Sequence, residues 1–277
     1  MSLRVLIVGC GNMGGAMLAG WLAAGLEPER FAVLDPAIDA VPDGVALYRT
    51  PEQVPPGHKA LLLGFKPQQL ADLAPGLQAL AGGGVAVHSL LGGIPLAQVR
   101  AAFPHARAHV RVMPNLAARL SKSPVLLAQS GLGGDERAQV RSFYDALGTA
   151  EWLGDEAAFD VLTALAGSGP GFVYRFIDAL ATAAGRLGAE REQALRLATA
   201  MVEGAASLAA ASEHAPGDLA DRVASPGGMT REGLNVLDRD DALVDLLTAT
   251  LDATARRGSA MSAELGQPGV HLPERKG

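Results

Sequence analysis

The stretch Val5-Leu6-Ile7-Val8-Gly9-Cys10-Gly11-Asn12-Met13-Gly14 decides the fold. Four apolar residues of β type run straight into G-x-G-x-x-G, and residues 13–24, which follow, are helix-competent. Each glycine then has its own duty. Gly9 permits a tight turn, Gly11 lets backbone approach a pyrophosphate, and Gly14 lets helix and strand pack closely. The helix N-terminus behind them favours phosphate charge. The pattern predicts a dinucleotide-binding βαβ unit, with Gly9, Gly11, Asn12, Met13 and Gly14 at the cofactor. A glycine-rich turn without a ligand is the plainer alternative.

Outward from this motif, β-type runs at 31–34, 60–63, 85–88, 109–113 and 125–128 alternate with helix-competent segments at 67–80, 95–103 and 135–147. The runs are almost continuously apolar, which is the mark of strands covered on both faces, so the spacing predicts an α/β fold with a parallel sheet between helices. At 277 residues the chain is long enough for about two domains. The β-type runs stop near Leu153, which divides the chain into 1–153, a dinucleotide-binding domain, and 154–277, an all-helical one.

In the second half, Val173, Phe176, Ile177, Leu180, Ala184 and Leu187 recur at three- and four-residue steps, the period of a helix face. Residues 190–211 carry Leu195, Leu197, Ala198, Met201, Val202, Ala205 and Leu208 around most of the helix circumference, and residues 241–255 repeat the pattern. Helices apolar on nearly all sides must be enclosed, and about 120 residues rarely enclose several of them. A partner chain is therefore expected to cover them. The tail from Gln267, rich in Pro, Gly and charge, is expected to fray.

Composition narrows the function classes. With 23 Lys+Arg against 29 Asp+Glu the net charge is −6, spread along the chain, so no basic footprint exists for nucleic acid or an anionic membrane. A single cysteine, Cys10, allows neither an intramolecular disulfide nor a cysteine cluster for zinc, and the default is the cytoplasm. Residues 3–8 are too short for a signal-peptide core, and no apolar run approaches the roughly 20 residues of a membrane span. The six histidines are scattered without ligand spacing and no H-E-x-x-H or P-loop occurs, so no metal site and no phosphoryl transfer are expected.

Asp35 closes the second β-run about twenty residues after the third glycine, where a carboxylate accepts hydrogen bonds from an adenine ribose. The following residues 36–39 include no Arg or Lys for a 2′-phosphate, which leans toward NADH. Cys10 reads as small filler in the turn. Farther on, Ser225, Pro226, Gly227, Gly228, Met229 and Thr230 precede a helical stretch. Successive small residues at a helix start make a nest of backbone N–H groups suited to a carboxylate, and Thr230 could add its hydroxyl. A turn plus helix cap explains the same residues equally well. Gly167, Ser168, Gly169 and Pro170 suit close packing; they do not form the G-x-S-x-G elbow of a hydrolase. His88, at the end of a β-run, reads as a satisfied core or edge residue rather than a base.

Together, V-G-C-G-N-M-G from Val8, F-K-P-Q from Phe65, V-M-P-N from Val112, T-A-L-A-G-S-G-P-G-F-V from Thr163 and S-P-G-G-M-T from Ser225 resemble pyrroline-5-carboxylate reductases, in family order and over most of the chain. The last two motifs are the specific ones. The resemblance implies an N-terminal Rossmann domain and a C-terminal helical domain that dimerises, with dimers often built into larger rings. It implies reduction of the cyclic imine 1-pyrroline-5-carboxylate to L-proline by NADH or NADPH. It places Phe65, Lys66 and Pro67 near the cofactor and Asn115 near its ribose and nicotinamide end. It also places Ser225, Gly227, Gly228, Met229 and Thr230 around the substrate carboxylate, with Thr230 near the ring nitrogen as candidate proton donor, and Glu213 approaching from the partner side.

The chain departs from the family pattern at Phe65, at Leu116, Ala117 and Ala118 in place of a Thr-Pro pair, and at Met229. Family members often favour NADPH, against the reading of Asp35. Two rival functions remain at this level. A 3-hydroxyacid dehydrogenase shares the glycine loop but needs a lysine shortly into the long helix, where Phe172, Val173, Tyr174 and Arg175 stand. A non-catalytic, cofactor-sensing oligomer would have little use for the retained 225–230 turn.

Overall fold

The structure, a computed structural model, describes residues 3–265. The tail from Gln267 lies outside the described residues. Two compact units form: one from the chain up to Gly167 together with the chain from Thr254, the other from Ser168 to Ala253.

The first unit is built on β1 (Val5–Val8), α1 (Asn12–Ala23), β2 (Phe31–Leu34), β3 (Ala46–Tyr48), β4 (Ala60–Leu63), α2 (Leu70–Ala81), β5 (Ala86–Ser89), α3 (Leu96–Ala102), β6 (Ala108–Met113), β7 (Ser123–Ser130), α4 (Gly134–Asp145), β8 (Gly148–Trp152) and α5 (Phe159–Leu162). The eight strands lie in the order β3-β2-β1-β4-β5-β6-β7-β8. Every neighbouring pair is parallel except β6 and β7. That reversal departs from the expected all-parallel sheet, and its cause is the connection. Residues 114–122 are fewer than the dozen or so that a helical crossover requires, so the chain turns back antiparallel.

The continuous apolar runs divide by alternation once folded. Val5 and Ile7 of β1 face Met17, Leu18 and Trp21 of α1 and Phe143 and Tyr144 of α4. Leu6 and Val8 face Leu70, Ala74 and Leu77 of α2 and Val99 of α3. Both faces are therefore dry, as the parallel reading requires. Each fully buried large apolar side chain contributes roughly 1.5–3 kcal/mol. Trp21 anchors one layer, stacked at 5.3 Å on Phe31, with its indole N–H donating to the Phe143 carbonyl at 3.1 Å.

The second unit holds α6 (Gly169–Arg186), α7 (Arg191–Ala211), α8 (Pro216–Arg222), α9 (Met229–Leu237) and the start of α10 (Ala242–Leu265). Pro170 sits in the first turn of α6, where its missing N–H has no helical partner to lose. Large apolar side chains here remain open to solvent, among them Phe176, Leu197, Met201, Leu208 and Leu246. Contrary to the expectation that no segment reaches span length, α7 is long and apolar enough to cross a membrane by length and composition alone. Its small alanines, interleaved with Arg196, Glu203 and other polar residues, hide this from a search for one unbroken apolar run.

Candidate functional site

The glycine motif forms a cradle of backbone packed on backbone. Gly9 adopts φ +83°, closed to most side chains. A Cβ on Gly9 would lie 2.8 Å from the Phe65 amide nitrogen, on Gly14 2.9 Å from the Gly9 carbonyl oxygen, and on Gly64 2.3 Å from that same oxygen. The ends of β1 and β4 and the first turn of α1 thus meet with no room for a side chain. Gly11 differs: a Cβ there would meet nothing within 4 Å. Its bareness serves no internal packing and suits the approach of a ligand. Gly11 caps α1 without any side-chain hydrogen bond, and the first turn carries no acidic residue, so the positive end of the helix stays available to an anion. The cradle fits a dinucleotide pyrophosphate.

A cleft of about 510 Å3 opens beside it, lined by Gly9, Gly11, Asp35, Phe65 and Lys66. Five of the residues expected at the cofactor are thus brought together. Asn12 heads α1 in the open, Met13 packs against the core, and Pro67 begins a 3-10 turn after Lys66. The Lys66 N–H donates to Gln69 Oε1 at 3.0 Å, which fixes the turn, while its side chain stays exposed at the cleft.

Asp35 is 8% exposed. Its Oδ2 accepts from the Cys10 N–H and its Oδ1 from the Ala37 N–H, both at 2.8 Å. One carboxylate therefore ties the glycine loop to the end of β2. Burial, with the Asp35 charge beside it, pushes the Cys10 thiol up to about 11, so it is neutral at physiological pH and a poor nucleophile. Arg49, which follows β3, and Gly64 also line the cleft. Sequence reasoning missed both. Gly64 could have been found as the glycine ending β4, just as Gly9 ends β1.

Asn115 is not among the residues lining that cleft, and its polar groups are engaged by the chain itself. Its Nδ2 donates to the Ala166 carbonyl at 2.8 Å, its Oδ1 accepts from the Ala117 N–H at 2.8 Å, and its N–H donates to Ser123 Oγ at 2.9 Å. The residue is 5% exposed. In this structure it clamps the end of β6 to the π-helical turn Thr163–Gly167 that follows α5.

In the second unit, the 225–230 segment makes a tight turn into α9. Gly227 takes φ +69°, and the Gly228 N–H donates to the Ser225 carbonyl at 2.9 Å. A Cβ on Gly228 would lie 2.7 Å from Ser225 Oγ and 3.0 Å from the Ser225 carbonyl oxygen, so a side chain there would displace the Ser225 hydroxyl and crowd the turn. Because the Gly228 amide is engaged within the turn, the free donors of this nest are the first-turn amides of Met229 and Thr230. Met229 is 94% exposed, and Thr230 is exposed next to it. Arg231 is held by Asp221 at 2.6 Å, which braces the start of α9 against α8. Glu213 is exposed in the link between α7 and α8, next to the Ser212 Oγ that accepts from the His214 N–H at 3.0 Å.

Among the described residues no cluster of three His, Cys, Asp or Glu could hold a metal ion. A hollow of about 590 Å3 at the N-terminal edge of the strands, lined by Arg4, Lys59 and His88 among others, contains none of the motif residues.

A glycine cradle at the C-terminal ends of β1 and β4, an open helix N-terminus above it and a carboxylate closing β2 define a Rossmann-type dinucleotide-binding protein. Comparison with known proteins takes this further. Residues 156–261 match the family model described as pyrroline-5-carboxylate reductase dimerisation. The chain is 31% identical to the pyrroline-5-carboxylate reductase of Methanosarcina acetivorans, over 95% of this chain and 98% of that one. It is 33% identical to the reductase of the same name from Aquifex aeolicus, over 86% and 90%. The solved structure of a pyrroline-5-carboxylate reductase from Coxiella burnetii superposes with TM-score 0.87 at 26% identity, covering 95% of this chain and 99% of that one. The chain belongs to the pyrroline-5-carboxylate reductase family.

Proposed function

We propose that this chain is an oxidoreductase that reduces 1-pyrroline-5-carboxylate to L-proline, the closing step of proline biosynthesis, with a nicotinamide dinucleotide as reductant. The observation that carries this reading is the 31% identity along 95% of the chain to a reductase of that name, an alignment long enough to take in both the glycine cradle and the 225–230 turn. Residues 1–153 serve the cofactor; residues 154–277 serve the substrate and self-association.

The hydride for the imine carbon would come from NADH or NADPH held in the cleft by the glycine cradle, Asp35 and Lys66. The chain's own part is to hold and orient. Gly9, Gly11 and Gly14 with the α1 N-terminus receive the pyrophosphate, Asp35 faces the adenine ribose, and Lys66 adds a positive charge at the cleft. The free Met229 and Thr230 amides receive the substrate carboxylate. The Thr230 hydroxyl hydrogen-bonds the ring nitrogen and polarises the C=N bond, which is basic enough to take its proton from water or a hydroxyl without a dedicated histidine or lysine. Hydride transfer of this kind asks chiefly for alignment of donor and acceptor.

Self-association follows from the exposed apolar helix surface of the second unit and from the family model matched there. A second copy of the chain would cover Leu197, Met201 and Leu208 of α7.

The test is to incubate the purified protein with pyrroline-5-carboxylate and NADH or NADPH, following loss of dihydronicotinamide absorbance and formation of proline. Cofactor binding with no proline formed would leave the cofactor-sensing alternative standing.

A further inference from the structure

We infer that Arg49 receives the 2′-phosphate of NADPH and that this side chain sets which nicotinamide dinucleotide the chain prefers; the inference rests on the cofactor role proposed above. Local sequence argues the other way, because Asp35 closes β2 and residues 36–39 carry no cation. The sheet supplies the cation from elsewhere. β2 and β3 pair in parallel with Leu34 opposite Tyr48, and the Asp35 N–H donates to the Tyr48 carbonyl at 3.0 Å. The next residue on each strand, Asp35 and Arg49, therefore leaves the sheet beside the other.

Arg49 folds over the 35–39 turn. Its Nη1 donates to the Asp35 carbonyl at 3.0 Å and to the Ile38 carbonyl, and its Nη2 donates to the Asp39 carbonyl at 3.3 Å. These three bonds fix the guanidinium at the rim of the cleft. They occupy both Nη1 hydrogens and one on Nη2. The Nε–H and the second Nη2–H have no partner among the described residues. Together they form one two-pronged edge of the planar group, the geometry with which arginine grips phosphate oxygens.

The charge balance at the rim agrees. The Asp35 carboxylate is nearly buried, and both of its oxygens are turned to the backbone donors of Cys10 and Ala37. Arg49 is exposed, and no carboxylate lies within ion-pair distance of it among the described residues. A dianion arriving at this rim meets a fixed, unpaired cation before it meets the carboxylate.

Calorimetric titration of NADP+ and NAD+ into the protein without substrate tests this, on the unaltered chain and on Arg49→Gln and Arg49→Lys. The expected result is an NADP+ dissociation constant raised about tenfold or more by Arg49→Gln, the scale of a lost charge-assisted pair, with NAD+ changed less than about twofold. Arg49→Lys, which keeps the charge but not the fork, should lose an intermediate amount. The retained NAD+ affinity doubles as the control for folding. NADP+ and NAD+ affinities that fall together, in both variants, or an NADP+ affinity that does not move, would overturn the assignment. A chain that binds both dinucleotides but makes no proline would sink the proposed reaction and leave Arg49 in its role.

Discussion

Arg111 Nη1 lies 2.7 Å from Glu156 Oε1, yet the arginine side chain is only 6% exposed and the glutamate 33%. The guanidinium also stacks 3.7 Å from the Phe159 ring centroid, and the same Oε1 accepts from the Leu96 N–H at 2.8 Å. The pair pins the segment that follows β8 onto β6 and α3. Its two halves should not cost the same to remove. Glu156→Ala strands a buried cation and should destabilise the first unit by about 3 kcal/mol, whereas Arg111→Met leaves a carboxylate that water can reach and should cost about 1–2 kcal/mol. Urea denaturation at neutral pH measures both; equal costs, or the reverse order, would refute the burial argument.

Gly20 and Gly76 make a sign test within two helices. A Cβ on Gly20 of α1 would lie 2.0 Å from the Ala118 carbonyl oxygen and 2.9 Å from Leu147 Cδ2, so Gly20→Ala must push backbone apart and should destabilise by about 1–3 kcal/mol or more. A Cβ on Gly76 of α2 would meet nothing within 4 Å, and Gly76→Ala should stabilise by up to about 1 kcal/mol through helix propensity. Thermal unfolding of the two variants should move the midpoint in opposite directions.

Thr230→Ala tests the second half of the proposed chemistry. Removing the hydroxyl leaves the exposed amides at the start of α9 in place, so kcat should fall about tenfold to a hundredfold with little change in cofactor binding. Thr230→Ser should recover most of the rate. Unchanged turnover in the alanine variant would remove Thr230 from the mechanism.

His88 gives the protein a pH dependence unrelated to catalysis. It is 1% exposed with Nδ1 2.7 Å from the Tyr144 hydroxyl, but its buried Nε2 has no hydrogen-bond partner among the described residues, against the expectation of a satisfied ring; burial, aided by the Arg107 charge, pulls its pKa down to about 3. In the unfolded chain it returns to about 6.5. Between those values the unfolded state binds a proton that the folded state refuses. Stability should therefore fall as pH drops below about 6.5, by up to about 1.4 kcal/mol per pH unit, and should be indifferent to this group above that. Denaturant midpoints at about pH 6.5 and 5 should differ less in His88→Gln than in the unaltered chain. A slope that persists in the variant would assign it to other groups.

How much of this was legible beforehand depended on how far apart in the chain the cooperating residues are. β1, β2 and β4 have the boundaries read from their apolar runs, because strands dry on both faces need no polar alternation. β3, Ala-Leu-Tyr, is a three-residue strand of half-buried side chains, too short to stand out, and β8, Gly-Thr-Ala-Glu-Trp, shows no apolar run because polar, exposed residues interrupt it. The reversal at β7 was not legible: the apolar run begins at Val125 whereas β7 begins at Ser123, so in the sequence the connection spans about eleven residues, close to the length of a crossover. α8 was not anticipated, being seven residues with little apolar pattern. The glycine cradle was legible because its motif is contiguous. Arg49 was not, since it reaches the 35–39 turn only through strand pairing, and no local rule connects it to Asp35.

The contacts among Gly9, Gly14 and Gly64 bear also on how the cleft meets its ligand. Three segments touch through bare main chain, and neither a rotamer change nor a side-chain shift can loosen them. The cradle has already lost its conformational freedom when the chain folds, so little entropy of the receptor remains to be given up on docking. Whatever ordering penalty association carries should reside in the long, jointed dinucleotide itself.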